Sequence, residues 1–168
     1  GRWRSRSQDY PYFGAPRDGN ARRHAGIDLY PVNGEGVQVK AIQDGTVIRT
    51  SPFYKRASGE ITYALLVDHR DYVANYAELR KPELVTGAVV TKNQPIGFVS
   101  GTKHLHLELY RPGTRGWMSW SWYGEMPSNL IDPTGMMTRV EVERERYPSP
   151  DLALRSKPPA IGTPPIIR

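Results

Sequence analysis

Three of the four histidines in this 168-residue chain fall in two short motifs, His24-Ala-Gly-Ile-Asp28 and His104-Leu-His106-Leu-Glu108. Imidazole and carboxylate are the ligands that a divalent zinc ion takes in sites that keep one position open for water, and such sites hydrolyse amides. A lone His-x-x-x-Asp is a common chance pattern whose default reading is solvated surface. Two such motifs in a chain with so few histidines point instead to one shared metal centre.

The elements that must position these groups read as strands. Gly26 and the flanking Leu, Ile and Tyr suit extended backbone, so His24, Gly26 and Asp28 alternate onto one face. Residues four apart on a straight strand are separated by about 13 Å, too far to grip one ion. A bend or bulge is therefore expected near Gly26, where glycine permits it. In the second motif His104, His106 and Glu108 share one face and Leu105, Leu107 and Leu109 the other, the pattern of a half-buried strand with its apolar side inward. Its two histidines stand about 7 Å apart. If one binds the metal, the other lies near the metal-bound water, where an imidazole moves protons or steadies an oxyanion. Glu108 reads as structural, orienting a ligand from behind or pairing with an arginine.

Around these motifs the chain resembles the lysostaphin/LytM-type zinc endopeptidases, the beta-lytic metallopeptidase family that cuts peptide cross-links in bacterial cell walls. The resemblance runs in order through Arg23-His24-Ala-Gly-Ile-Asp28, Gly36-Val-Gln-Val-Lys-Ala41, Asp44-Gly-Thr-Val47 and Leu66-Val-Asp-His69. It continues through Asn75-Tyr-Ala-Glu-Leu79, Val85-Thr-Gly-Ala-Val89, Gln94-Pro-Ile-Gly97, His104-Leu-His-Leu-Glu108 and Ile131-Asp-Pro-Thr134. It implies Zn2+ held by His24, Asp28 and His106, with His104 as one of two catalytic side chains. The second departs from the pattern: the family's usual Tyr-Ala-His-Leu reads Tyr76-Ala77-Glu78-Leu79. The remaining histidine, His69, belongs to what the family makes a strand end and reads as structural or surface.

Chemistry allows two readings of Glu78. A carboxylate beside zinc can take a proton from water as a general base. Against this, an anion cannot donate a hydrogen bond to an oxyanion, and its charge opposes the charge that develops there. A third, purely structural reading makes it a partner of Arg70 or Arg80.

The composition, 38% hydrophobic, suits a single core with length to spare at the ends. Strand-like runs at Val37–Ala41, Thr46–Thr50, Ile61–Asp68, Val73–Ala77 and His104–Tyr110, broken by glycines, predict a mainly β fold. The expected architecture is an antiparallel, sandwich-like LytM/lysostaphin-type domain with a substrate groove. The expected boundaries are a basic segment 1–11, a peptidase domain 12–142 with an aromatic insertion 111–128, and a Pro-rich tail 143–168. In the insertion, Trp117, Trp120, Trp122 and Tyr123 either form a groove wall that grips substrate or fold back as a local apolar plug.

Zero cysteines exclude disulfides and thiolate zinc sites. No apolar run approaches the length of a membrane span, and there is no secretory signal with a hydrophobic centre. A start at Gly1 without Met suggests a processed product or a domain of something longer. The net charge of +6 and pI near 9.6 favour anionic cell-wall polymers as partners. Nucleic acid is the rival, but no recognised binding module accompanies Arg2-Trp3-Arg4. These features predict an extracytoplasmic zinc endopeptidase acting on peptidoglycan stem peptides or cross-links, as a wall-remodelling enzyme or a phage or secreted antibacterial effector. A monomer is the default, and an inhibitor or immunity protein is a candidate partner. The alternative is a catalytically degenerate domain that binds peptidoglycan or regulates another wall hydrolase.

Overall fold

The computed structural model describes residues 10–116 and 121–137. The N-terminal segment up to residue 9, Trp117, Trp120 and the Pro-rich tail lie outside the described residues. The chain divides into units 1–134 and 135–168, and the fold below is that of the first. Its strands are β1 (Pro16–Arg17), β2 (Arg22–His24), β3 (Ile27–Leu29), β4 (Gln38–Lys40), β5 (Gly45–Lys55) and β6 (Ile61–Asp68). They continue as β7 (Val73–Leu79), β8 (Val89–Val90), β9 (Pro95–Phe98), β10 (Leu105–Tyr110), β11 (Ser121–Trp122) and β12 (Leu130–Ile131). A short 3-10 turn, Asp18–Asn20, follows β1.

All strand pairings are antiparallel. The large sheet runs β12-β10-β7-β6-β5-β8, with β3 also paired to β10. A three-stranded sheet β1-β2-β11 and the pair β4-β9 complete the unit. This is the mainly β, antiparallel architecture that the strand-like runs predicted.

One expectation needs correction: β10 is not half-buried. Residues 106–110 are buried on both faces, including His106 and Glu108. The reason is that the small sheet covers the polar face. His106, Glu108 and Tyr110 align across the ladder with Ala77, Asn75 and Val73 of β7, and Asn75 aligns in turn with Leu66 of β6. Trp122 of β11 and Ala25 pack with Leu66, Val73, Tyr110 and Leu130, joined by Phe13 and Ile48. One continuous face thus grades from apolar at Tyr110 to polar at His106, under a lid that excludes water. The apolar end supplies hydrophobic stabilisation of roughly 25 cal/mol per Å2 buried.

The opposite face carries a second buried polar group, His69. Its Nδ1–H donates to Asp44 O at 2.9 Å, and its Nε2 accepts from the Tyr76 hydroxyl at 3.0 Å. That hydroxyl accepts in turn from the Ile42 N–H at 3.1 Å. His69 is a structural pin between the β4–β5 turn and β7.

Candidate metal centre

The first motif does bend where glycine allows it. His24 ends β2, Gly26 is a bend, and Asp28 lies in β3, so the chain passes from the small sheet to the large one between the two residues. A Cβ on Gly26 would stand 2.4 Å from Leu107 O and 3.0 Å from His106 Cε1, so only glycine lets this bend lie against β10. Asp28 is the direct ladder partner of His106.

Three ligand atoms converge on one point. His106 Nδ1 is 2.9 Å from Asp28 Oδ1 and 3.0 Å from His24 Nε2, and His24 Nε2 is 3.3 Å from Asp28 Oδ1. Ligand atoms on a tetrahedral zinc ion with bonds of 2.0–2.1 Å are separated by about 3.3 Å, so this trio matches one face of such a polyhedron. Among the described residues, His24, Asp28 and His106 form a buried group able to hold a metal ion.

Each imidazole is fixed from behind. His24 Nδ1 lies 3.0 Å from Tyr12 O and His106 Nε2 lies 2.8 Å from Glu108 Oε1, so in each ring the rear nitrogen can donate while the front one, freed of any proton by a bound metal, would offer its lone pair. Glu108 Oε2 also accepts from Asn75 Nδ2 at 2.8 Å and from the Tyr110 hydroxyl at 2.6 Å. Of its two sequence readings, the orienting one holds. This chemistry of donors fits zinc.

The electrostatics follow from burial and pairing. Burial would raise the Asp28 pKa, but hydrogen bonds from His106 and His24 outweigh it and hold the carboxyl well below its usual range. Burial disfavours charge on His106, yet Asp28 and Glu108 on either side push its pKa up to about 10 in the metal-free protein. Desolvation lowers the His24 pKa.

His104 immediately precedes β10. Its Nδ1–H donates to Thr102 O at 3.1 Å, leaving Nε2 3.9 Å from Asp28 Oδ1, at the edge of the ligand trio. The Tyr30 ring packs against it with centroids 5.1 Å apart. Phe53 of β5 stacks on His106 at 5.8 Å.

Glu78 is buried and breaks the alternation of β7. Tyr63 and Leu65 of β6 align with Leu79 and Tyr76, so β7 carries one extra residue between them, and Glu78 adopts φ 64. This bulge re-aims a side chain that strict alternation would send to the Tyr76 face. Burial raises its pKa, opposed first by the charge of His104. Among the described residues its Oε2 has no hydrogen-bond partner. The arginine-pair reading fails for Arg80, whose Nη2 instead contacts Glu35 Oε1 at 2.9 Å.

In the insertion, Trp122 takes the plug reading: it is buried beside Phe13, with ring centroids 5.3 Å apart. Burial against the core leaves it no face for substrate, so the groove-wall reading is withdrawn for this residue. Tyr123 is 69% exposed. Sequence reasoning missed two contributors. Tyr12 acts through its carbonyl and leaves no side-chain signal. Arg17 is buried with Nη2 3.6 Å from Asp28 Oδ2, and no motif or spacing in the sequence singles it out.

Residues 22–116 match Peptidase family M23. No curated protein matches the sequence. Among solved structures the chain is similar to CbpA from L. salivarius REN, at TM-score 0.54 and 19% identity over 79% of this chain and 87% of that one. It is also similar to the catalytic domain of the antimicrobial peptidase lysostaphin from Staphylococcus simulans, at 0.52 and 22% over 77% and 90% of the two chains. LytU gives 0.52 and 22% over 86% and 94%. At these identities the likeness speaks for the fold.

Proposed function

Because the chain belongs to peptidase family M23, we propose that it is a zinc-dependent endopeptidase that hydrolyses peptide bonds in peptidoglycan stem peptides or cross-links, outside the cytoplasm. The observation that carries this reading is the convergence of His24 Nε2, Asp28 Oδ1 and His106 Nδ1 within 2.9–3.3 Å of one another, each imidazole oriented by an acceptor behind it. Zinc held there supplies an acidified water and a charge that polarises the scissile carbonyl. A net charge of +6 suits approach to anionic wall polymers.

The chain's own groups handle the protons. His104, with its Nδ1–H committed to Thr102 O, presents Nε2 to take or return one. Glu78 is the second proton carrier. A carboxylate whose pKa burial has raised is a stronger base than one in water, which suits it to accept a proton as attack begins.

A second reading is favoured by the same Glu78: an anion beside the site cannot donate a hydrogen bond to an oxyanion, and a domain so altered would bind peptidoglycan or regulate another wall hydrolase. Digestion of several peptidoglycan types with the zinc-loaded protein separates the two. Released muropeptides, identified by mass and absent with His106→Ala and Glu78→Gln, are the result expected of the enzyme. Binding to peptidoglycan with no released product would replace it with the binding module.

A further inference from the structure

Asp28 has two carboxylate oxygens, and the site uses them differently. Oδ1 faces the two imidazole nitrogens, 2.9 Å from His106 Nδ1 and 3.3 Å from His24 Nε2. Oδ2 faces the guanidinium of Arg17, whose Nη2 is 3.6 Å away. Both side chains are buried, at 6% and 11% exposure, so this pair is shielded from the water and salt that weaken surface ion pairs. The backbone is fixed as well: the Asp28 N–H donates to Pro11 O at 2.9 Å, and β1, which carries Arg17, is paired to β2, which carries His24.

The neighbouring buried arginine has a carboxylate partner other than Asp28. Arg22, the ladder partner of Arg17, directs Nε to Asp18 Oδ2 and Nη1 to Ser121 Oγ at 3.1 Å. Each buried guanidinium therefore has its own carboxylate.

We infer that Arg17 is a positioning residue that withholds Asp28 Oδ2 from the metal, so that the carboxylate ligates through Oδ1 alone. This rests on the zinc reading given above. The physical case is that a buried carboxylate oxygen without a partner is costly, and in the absence of Arg17 an ion held by Oδ1 would offer Oδ2 a positive charge within reach. A carboxylate that gave both oxygens would fill a coordination position needed for water or the substrate oxygen. It would also donate more charge to the ion and leave bound water less acidic. Arg17 touches no substrate in this account and acts through Asp28.

The test uses the full chain with Co2+ in place of Zn2+, because four-coordinate cobalt absorbs visible light far more strongly than five- or six-coordinate cobalt. The wild-type protein is expected to show the intense band at one equivalent. Arg17→Gln is expected to bind one equivalent with a several-fold weaker band and to bind zinc no less tightly in competition with a chromophoric chelator. Arg17→Lys, which keeps the charge, should restore most of the intensity. A weak band in the wild type overturns the inference without any variant. So does a Gln variant that loses zinc affinity while its cobalt spectrum stays unchanged, since that is the mark of a merely structural arginine. If the Gln variant does not fold, Arg17→Met, which keeps the buried stem and removes the charge, takes its place with the same expectation, and an unchanged cobalt band in it overturns the inference. Failure of the wild type to bind either ion is a different result and removes the zinc reading itself.

Discussion

His106 donates its Nε2–H to Glu108 Oε1 at 2.8 Å, from a position two residues away on the same face of β10. Strand alternation makes such a pair available wherever residues i and i+2 point the same way, but here burial gives it force. Asn75 from the next strand and the Tyr110 hydroxyl use the other oxygen, so the carboxylate cannot turn away. The ring is thereby held with Nδ1 toward His24 and Asp28.

Glu108→Gln tests that support. The amide is nearly the same size, but it can no longer accept from all three donors. Zinc affinity is expected to fall by about 10- to 100-fold, read by chelator competition. Glu108→Ala leaves the donors unpaired and is expected to destabilise the fold by about 3–5 kcal/mol in urea unfolding.

Substitutions at Glu78 should separate chemistry from stability. With Glu78 as a general base, Glu78→Gln lowers turnover by about 10²- to 10⁴-fold in the muropeptide assay. Glu78→His supplies the side chain that the family pattern implies and is expected to retain turnover. Glu78→Gly is expected to be inactive yet more stable by about 1 kcal/mol, because glycine accepts φ 64 without strain and the partnerless Oε2 is removed. A Gly variant that melts below the wild type would contradict this.

Gly26→Ala adds one methyl where Leu107 O and His106 Cε1 already stand. Either the bend or β10 must shift, at a cost of about 1–3 kcal/mol. Because the shift moves His24 relative to Asp28, zinc affinity should fall together with the unfolding midpoint. An alanine variant with wild-type affinity would show that the close approach does not set the ligand geometry.

Acid sensitivity has a contributor outside the site. Desolvation lowers the folded-state pKa of His69, which binds its partners as the neutral ring. The unfolded state then binds the extra proton first. Stability is therefore full above the unfolded value near 6.5 and falls as pH drops below it, with a slope of at most about 1.4 kcal/mol per unit. His24 acts in the same direction. His106, raised to about 10, acts oppositely: its contribution is full below about 6.5 and is lost as pH rises toward 10. His69→Gln, compared with the wild type in metal-free urea titrations at pH 7.5 and 5.5, should show the smaller loss on acidification.

Much of this was legible in the chain because side-chain type and spacing carried it. The β6 run Ile61–Asp68 is read from the sequence with the bounds it has in the fold, since a continuous apolar stretch in a central strand has little ambiguity. The bend at Gly26 followed from the distance four extended residues must cover. Burial of both faces of β10 was not legible, because the cover comes from β11, which starts only at Ser121 after β10 has ended at Tyr110, and no local pattern announces a returning strand. The role of Tyr12 rests on a backbone carbonyl, which every residue has. Arg17 was hidden by composition: among many N-terminal arginines, only the fold shows that Arg17 and Arg22 are buried and that Arg17 is the one facing Asp28. The bulge at Glu78 adds a residue to β7 without any glycine to mark it.

The ligand trio straddles two sheets, with His24 in β1-β2-β11 and Asp28 and His106 in the large one. His24 and His106 are 82 positions apart in sequence. In a chain without cysteine, an ion shared between them would be a reversible cross-link, closing a loop as long as many disulfides close and openable by a chelator instead of a reductant. On the zinc reading, whatever adjusts free zinc around the protein would therefore also adjust how firmly its smaller sheet is fastened down.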